Sequence, residues 1–154
     1  LYRGLRSDVT VSNDYDHVWE PRMVREGEVA TIVTYGQMVG ICEKVCDYLE
    51  EEYEYSFEII DLRALKPVDL DPIRESVRKT GRLIVVHEAR RNNGFGGEII
   101  SQLTEELFFD MEAPPLRIGS IDVPVPFAAP LEKQFMPDEE SITQDIINWL
   151  EKLN

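Results

Sequence analysis

A chain of 154 residues suits one domain and is too short for two of ordinary size. Its 30 acidic residues against 16 basic ones give a formal charge of -14, which argues against nucleic acid or an anionic membrane as the main partner, because phosphate binding runs on surplus Lys and Arg. No stretch of 18 apolar residues occurs, and the opening LYRGLRSDVTVSNDYD lacks the apolar core of a signal peptide, so neither a spanning helix nor a leader is expected.

In chain order, Leu1 to Glu26 read as an irregular polar arm or linker, with Trp19 and Met23 as local anchors. From Gly27 the chain becomes periodic and the domain proper is expected over 27–154. VATIVTY (Val29 to Tyr35) is a β-branched and aromatic run between glycines, as a buried strand requires. Gly36 leads into a helical pattern, with Met38, Val39, Ile41, Cys42, Val45, Cys46 and Leu49 on one face, expected to dissolve in the run Glu50–Glu51–Glu52. Cys42 and Cys46 lie four apart on that face. Their spacing is not the CxxC of zinc or redox sites and reads as two free buried thiols in a reducing interior.

SFEIIDL (Ser56 to Leu62) is a second strand. Asp69 or Asp71 caps a helix with Pro72 in its first turn, Ile73 and Val77 inward and Gly81 as its stop. LIVVHE (Leu83 to Glu88) is the most continuously apolar strand, hence central and covered on both faces. The loop ARRNNGFGG leads to a helix from Glu98 to about Met111, with Ile99, Ile100, Leu103, Leu107 and Phe108 as its apolar stripe. PLRIGS (Pro115 to Ser120) is a fourth strand. After Pro124, Pro126 and Pro130 a last helix starts at Asp138 or Ser141 and runs to Leu153, with Ile142, Ile146, Trp149, Leu150 and Leu153 inward. Strands alternating with helices predict an α/β fold: a three-layer α/β/α domain on a mostly parallel sheet.

Motifs for chemistry are sparse. His87 and Glu88 fall at the carboxyl end of a central strand, where open α/β sheets place their ligands. They read either as an acid/base pair or as a buried strand end with local hydrogen bonds. The second reading is preferred, since one His without a placed Asp or Ser is a weak signal. NNGFGG opens a helix after a strand but matches neither GxGxxG nor a Walker sequence; its glycines read better as a tight turn with close helix packing. Asp110 and Glu112 fall at a helix carboxyl end beside Phe108 and Phe109, against the helix dipole. Acids beside aromatics there read either as a solvated helix end or as a docking patch for a basic partner.

Several strings together, LYRGLR, VATIVTYG, IIDLRALKPVDLD, KTGRLIVVHEA, GFGGEI, EAPPLRI and DVPVPFA, resemble in order and spacing the C-terminal domain of the beta subunit of thiamine-diphosphate-dependent 2-oxo-acid dehydrogenases of the pyruvate and branched-chain type, and more distantly the transketolase C-terminal domain. The resemblance implies a transketolase C-terminal-like fold and a chain that is part of a longer subunit, consistent with Leu rather than Met at position 1. It implies a complete enzyme with two alpha and two beta subunits that decarboxylates a 2-oxo acid and passes the acyl group to lipoyl groups of an acyltransferase. Thiamine diphosphate and magnesium are then held by a GDG…NN segment of the alpha subunit and by the beta subunit's other domain. No GDG occurs here, so no cofactor-binding, metal or catalytic residue is carried over, and the chain alone is expected to be inactive. Residues 1–26 become the exit from a preceding pyrimidine-binding domain. The implied partners are the alpha subunit, a second beta subunit and a small basic peripheral domain of the acyltransferase. Matched by position, that last contact uses Phe108, Asp110, Glu112 and the carboxylate of Asn154, which favours the docking reading. The implied location is a bacterial or archaeal cytoplasm or the mitochondrial matrix. Two other expectations stay open: the C-terminal domain of a transketolase or deoxyxylulose-phosphate synthase, and a small independent enzyme at His87 and Glu88.

Overall fold

A computed structural model describes residues 17–128, 131 and 134–153. Five strands, β1 (Arg22–Arg25), β2 (Thr31–Thr34), β3 (Glu58–Asp61), β4 (Leu83–Arg90) and β5 (Leu116–Ser120), form one sheet in the order β1-β3-β2-β4-β5. Every pairing is parallel except β1 against β3. The helices are α1 (Met38–Tyr53), α2 (Asp71–Thr80), α3 (Phe95–Leu107) and α4 (Glu139–Glu151).

The alternation of side chains along each strand splits the core into two layers. Ile32, Ile59, Ile84 and Val86 pack with Met38, Cys42, Cys46, Ile142 and Ile146, so α1 and α4 cover one face. Val33, Ile60, Leu83 and Val85 pack with Ile73, Val77, Ile99 and Leu103, so α2 and α3 cover the other. This is the expected α/β/α sandwich, and β4 is indeed buried on both faces over Leu83–Val86.

Four details depart from the sequence reading. The arm is not irregular throughout: Arg22–Arg25 pairs antiparallel with β3, and Val24 packs on the core. Trp19 and Met23, expected to anchor it, are exposed. The helix α1 runs through the glutamates to Tyr53 because Glu is a good helix former, and it stops where Glu54 turns left-handed at φ 59°. The helix α3 starts at Phe95 and ends at Leu107, which leaves Phe108 beyond the helix and exposed rather than in the apolar stripe. Asn154 lies outside the described residues. No helix among them is long and apolar enough to cross a membrane.

Both cysteines are free and buried, and burial pushes the Cys42 thiol up to about 12. At the start of α4, the Asp138 side chain accepts from Ser141 N at 2.9 Å while Ser141 Oγ accepts from Asp138 N at 2.9 Å, a capping box. The Ser141 backbone bond holds the Asp138 carboxyl below its ordinary range. A carboxyl depressed in the folded state stabilises above its unfolded pKa, and that stabilisation is lost as pH falls through the folded value. Asp138→Ala is expected to cost about 1 kcal/mol at neutral pH. Thermal melts should show the gap to the parent protein narrowing in acid; a pH-independent gap would contradict the assignment.

Candidate functional sites

Two regions collect the residues singled out above: the carboxyl end of β4 and the turn after α3.

At the first, strand geometry sends His87 and Glu88 to opposite sides of the sheet. His87 is fully buried on the α2/α3 side, stacked on Tyr35 with ring centroids 6.3 Å apart and planes 11° apart. Glycines wall it in. A Cβ on Gly94 would sit 2.7 Å from His87 Cε1 and one on Gly119 2.8 Å from it, while one on Gly96 would press on Cδ2 and Nε2. Neither ring nitrogen completes a hydrogen bond. Burial is the largest cause of a lowered His87 pKa; the nearby Arg117 charge adds to it and the Ala89 backbone opposes it. The ring is buried packing surface, and its surroundings disfavour the charged form.

Glu88 has a different role. Its Oε1 accepts from Gln37 N at 3.1 Å, at the amino end of α1. That helix has no side-chain cap of its own and no acidic residue in its first turn. Glu88 supplies the missing anion from a neighbouring strand. Gly36, at φ 68°, permits the approach, because a Cβ there would lie 2.9 Å from Glu88 Oε1. The structure thus separates the two residues by environment instead of forming an acid/base pair.

The glycine loop beside them turns at Asn93, in the left-handed region at φ 57°, and enters α3 through Gly94 without a side-chain cap. The cleft at this helix end is lined by Asn93, Gly94, Phe95, Gly97, Glu98 and Arg117. Arg117 suits an anion, but Glu98 occupies the same cleft and opposes one. Tight packing over His87 accounts for Gly94 and Gly96. Among the described residues no group of three or more His, Cys, Asp or Glu side chains is placed to hold a metal ion.

At the second region, the chain leaves α3 in a turn, with Asp110 N and Met111 N both donating to Leu107 O, at 2.9 and 3.1 Å. Phe108 and Phe109 pack edge to face at 5.3 Å, yet they are 63% and 97% exposed. The acids beside them are held from the end of α2 and the turn after it: Arg78 pairs with Asp110 at 3.5 Å and Arg82 with Glu112 at 3.3 Å, while Glu112 N donates to Gly81 O at 2.8 Å. These pairs offset the dipole conflict of α3 without burying the carboxylates, so each contributes on the order of 0–1 kcal/mol. Phe108 and Glu112 share a groove with Thr104, Met111, Pro114 and Pro115. Trp149 Nε1 donates to Pro114 O at 3.0 Å, which brings the last turns of α4 to the same edge. Phe108, Asp110 and Glu112 are thus gathered in one exposed turn. The basic partners Arg78 and Arg82 were not singled out in the sequence, where only their place at the end of α2 hinted at them.

A mostly parallel five-stranded sheet between two helical layers, with an exposed aromatic and acidic surface at one helix end, defines a three-layer α/β/α domain. The chain matches the family model "Transketolase, C-terminal domain" over residues 20–142, and it belongs to that family. It is 37% identical over 141 residues to the 3-methyl-2-oxobutanoate dehydrogenase subunit beta of Mycobacterium tuberculosis, covering 92% of this chain and 40% of that protein. It is 36% identical over 151 residues to the pyruvate dehydrogenase E1 component subunit beta of Staphylococcus aureus, covering 98% of this chain and 46% of that protein. The chain thus spans less than half the length of these relatives. Among solved structures, a split gene transketolase described as an inactive beta4 tetramer superposes with a TM-score of 0.74 at 24% identity, over 89% of this chain and 44% of that one, a likeness of fold.

Proposed function

We propose that this chain is the assembly and partner-docking domain of the beta subunit of a thiamine-diphosphate-dependent 2-oxo-acid dehydrogenase component. The observation that carries the reading is the 36–37% identity to such beta subunits over 92–98% of the chain. In the complete enzyme two alpha and two beta subunits carry out the oxidative decarboxylation and the acyl transfer to lipoyl groups. Thiamine diphosphate and magnesium bind in the alpha subunit and the preceding beta domain, and residues 1–26 lead out of that domain. The bacterial relatives favour a reducing cytoplasm.

Docking is assigned to the turn after α3, where exposed aromatic surface lies beside Asp110 and Glu112. A small basic peripheral domain of the acyltransferase fits that chemistry: its cations meet the carboxylates, and its apolar side chains cover Phe108 and Phe109.

Glu112→Lys in the assembled heterotetramer is expected to slow capture of the basic peripheral domain about tenfold at low salt, mainly through the association rate, with the deficit shrinking as salt rises. Surface plasmon resonance with the peripheral domain immobilised measures this. Unchanged association at low salt would overturn the docking assignment. Decarboxylation by the variant, followed with an artificial electron acceptor, should stay at the parent level.

A further inference from the structure

A second groove lies on the opposite helical layer, between α1 and α4. It is lined by Lys44, Val45, Tyr48 and Tyr53 from one side and by Glu139, Glu140, Thr143, Gln144 and Ile147 from the other. Its floor is apolar through Val45 and Ile147. Its wall is an aromatic ladder: Tyr48 meets Tyr53 edge to face at 6.3 Å, and Tyr53 stacks on Tyr55 at 5.9 Å with planes 12° apart. Tyr48 and Tyr53 stay 48% and 44% exposed, which is costly for large rings unless something covers them.

The rim is acidic. Helical spacing puts Glu51 and Glu52 on the same stripe as Lys44 and Tyr48, and Glu151 on the stripe of Glu140, Gln144 and Ile147. Glu51, Glu52, Glu140 and Glu151 make no ion pair among the described residues. The last turn of α1 contains no basic residue, so Glu51 and Glu52 crowd the negative end of that helix dipole uncompensated. Among the described lining residues the one cation shows how a positive charge seats there: Lys44 Nζ reaches across from α1 to Glu139 Oε1 at 2.5 Å.

From this geometry we infer that the α1/α4 groove docks a Lys/Arg-bearing amphipathic segment of a partner protein. Its apolar side chains lie on Val45, Ile147 and the tyrosine rings, and its cations lie between the carboxylate rims and over the ring faces. Charge selects this occupant. A second copy of a chain carrying -14 would bring like charge to the groove, and nucleic acid or anionic lipid would be repelled. The site is separate from the turn after α3, which belongs to the α2/α3 layer, and the inference stands whether or not that docking assignment holds.

The test uses the full subunit in its native assembly and a labelled amphipathic peptide of Lys and Leu at helical spacing, followed by fluorescence anisotropy. Binding is expected at about 20 mM salt and should weaken about tenfold or more at about 200 mM, where the screening length is some threefold shorter. Glu140→Lys should lower affinity about tenfold at low salt and less at high salt. Tyr48→Ala should lower it at both, since ring contact is not screened, and Glu112→Lys should leave it unchanged. No binding at low salt, or equal binding by the parent protein, Glu140→Lys and Tyr48→Ala, would overturn the proposal. So would a change in oligomeric state with Glu140→Lys, which would give the groove to a second copy.

Discussion

Gly27→Ala is expected to cost about 3 kcal/mol or more. Gly27 is buried just before β2, where the chain runs against the start of β3. A Cβ at this position would lie 2.5 Å from Phe57 N and 2.6 Å from Phe57 O. Both are backbone atoms, so no side chain can rotate away and the two segments must part. Parting them strains the bonds that join them: Glu28 N and Val29 N donate to Ser56 O at 3.0 and 2.8 Å, and Lys79 Nζ donates to Gly27 O at 2.9 Å. Urea unfolding should show a lower midpoint with an unchanged slope. The control is Gly97→Ala, whose methyl meets only the end of the Arg117 side chain, which can swing aside. Equal losses at the two positions would contradict the account.

Gly96→Ala is expected to cost about 2–3 kcal/mol, through a side chain instead of backbone. The new methyl would press on His87 Cδ2 and Nε2 and lie 3.0 Å from Val85 Cγ1. The His87 ring cannot yield, because Tyr35 stacks on it while Gly94 and Gly119 close its other edge. Shortening the histidine should open space for the methyl. The double variant Gly96→Ala with His87→Ala is therefore expected to be more stable than the sum of the two single losses by about 1 kcal/mol or more. A strictly additive cycle in chemical denaturation would mean that His87 is not what the glycine accommodates.

These two glycines mark how far the sequence could be read. The turn-and-packing reading of NNGFGG was correct in kind, because a glycine run between a strand and a helix needs no distant partner to be recognised. That Gly96 serves His87 was not legible, since nothing local says which ring will lie beneath the helix. The same holds for Glu88. Beside His87 it looked like half of an acid/base pair, but it caps α1, whose amino end is 51 positions earlier in the chain. Asp110 and Glu112 were legible as acids at a helix end; their restraint by Arg78 and Arg82 depends on how α2 packs beside α3.

By itself the sequence determined the elements with a strong period, from the apolar β4 to the last helix beginning near Asp138, together with the family and the acidic character. Those features are local or additive: burial patterns recur every two or 3.6 residues, and charge sums without regard to fold. Only the tertiary structure decided the rest. The short strand β1 has two exposed residues and exists because β3 offers it an edge. Glu58 is buried at 3% exposure because Lys79 donates to it at 2.8 Å and Ser76 bonds it, with Thr31 Oγ1 joined in turn to Ser76 at 2.6 Å and Thr80 at 2.8 Å. No single segment encodes that network, since a carboxylate tolerates burial only where partners from other elements converge on it. The same convergence makes a candidate surface of Phe108, Asp110 and Glu112, and a groove of two helices far apart in the chain.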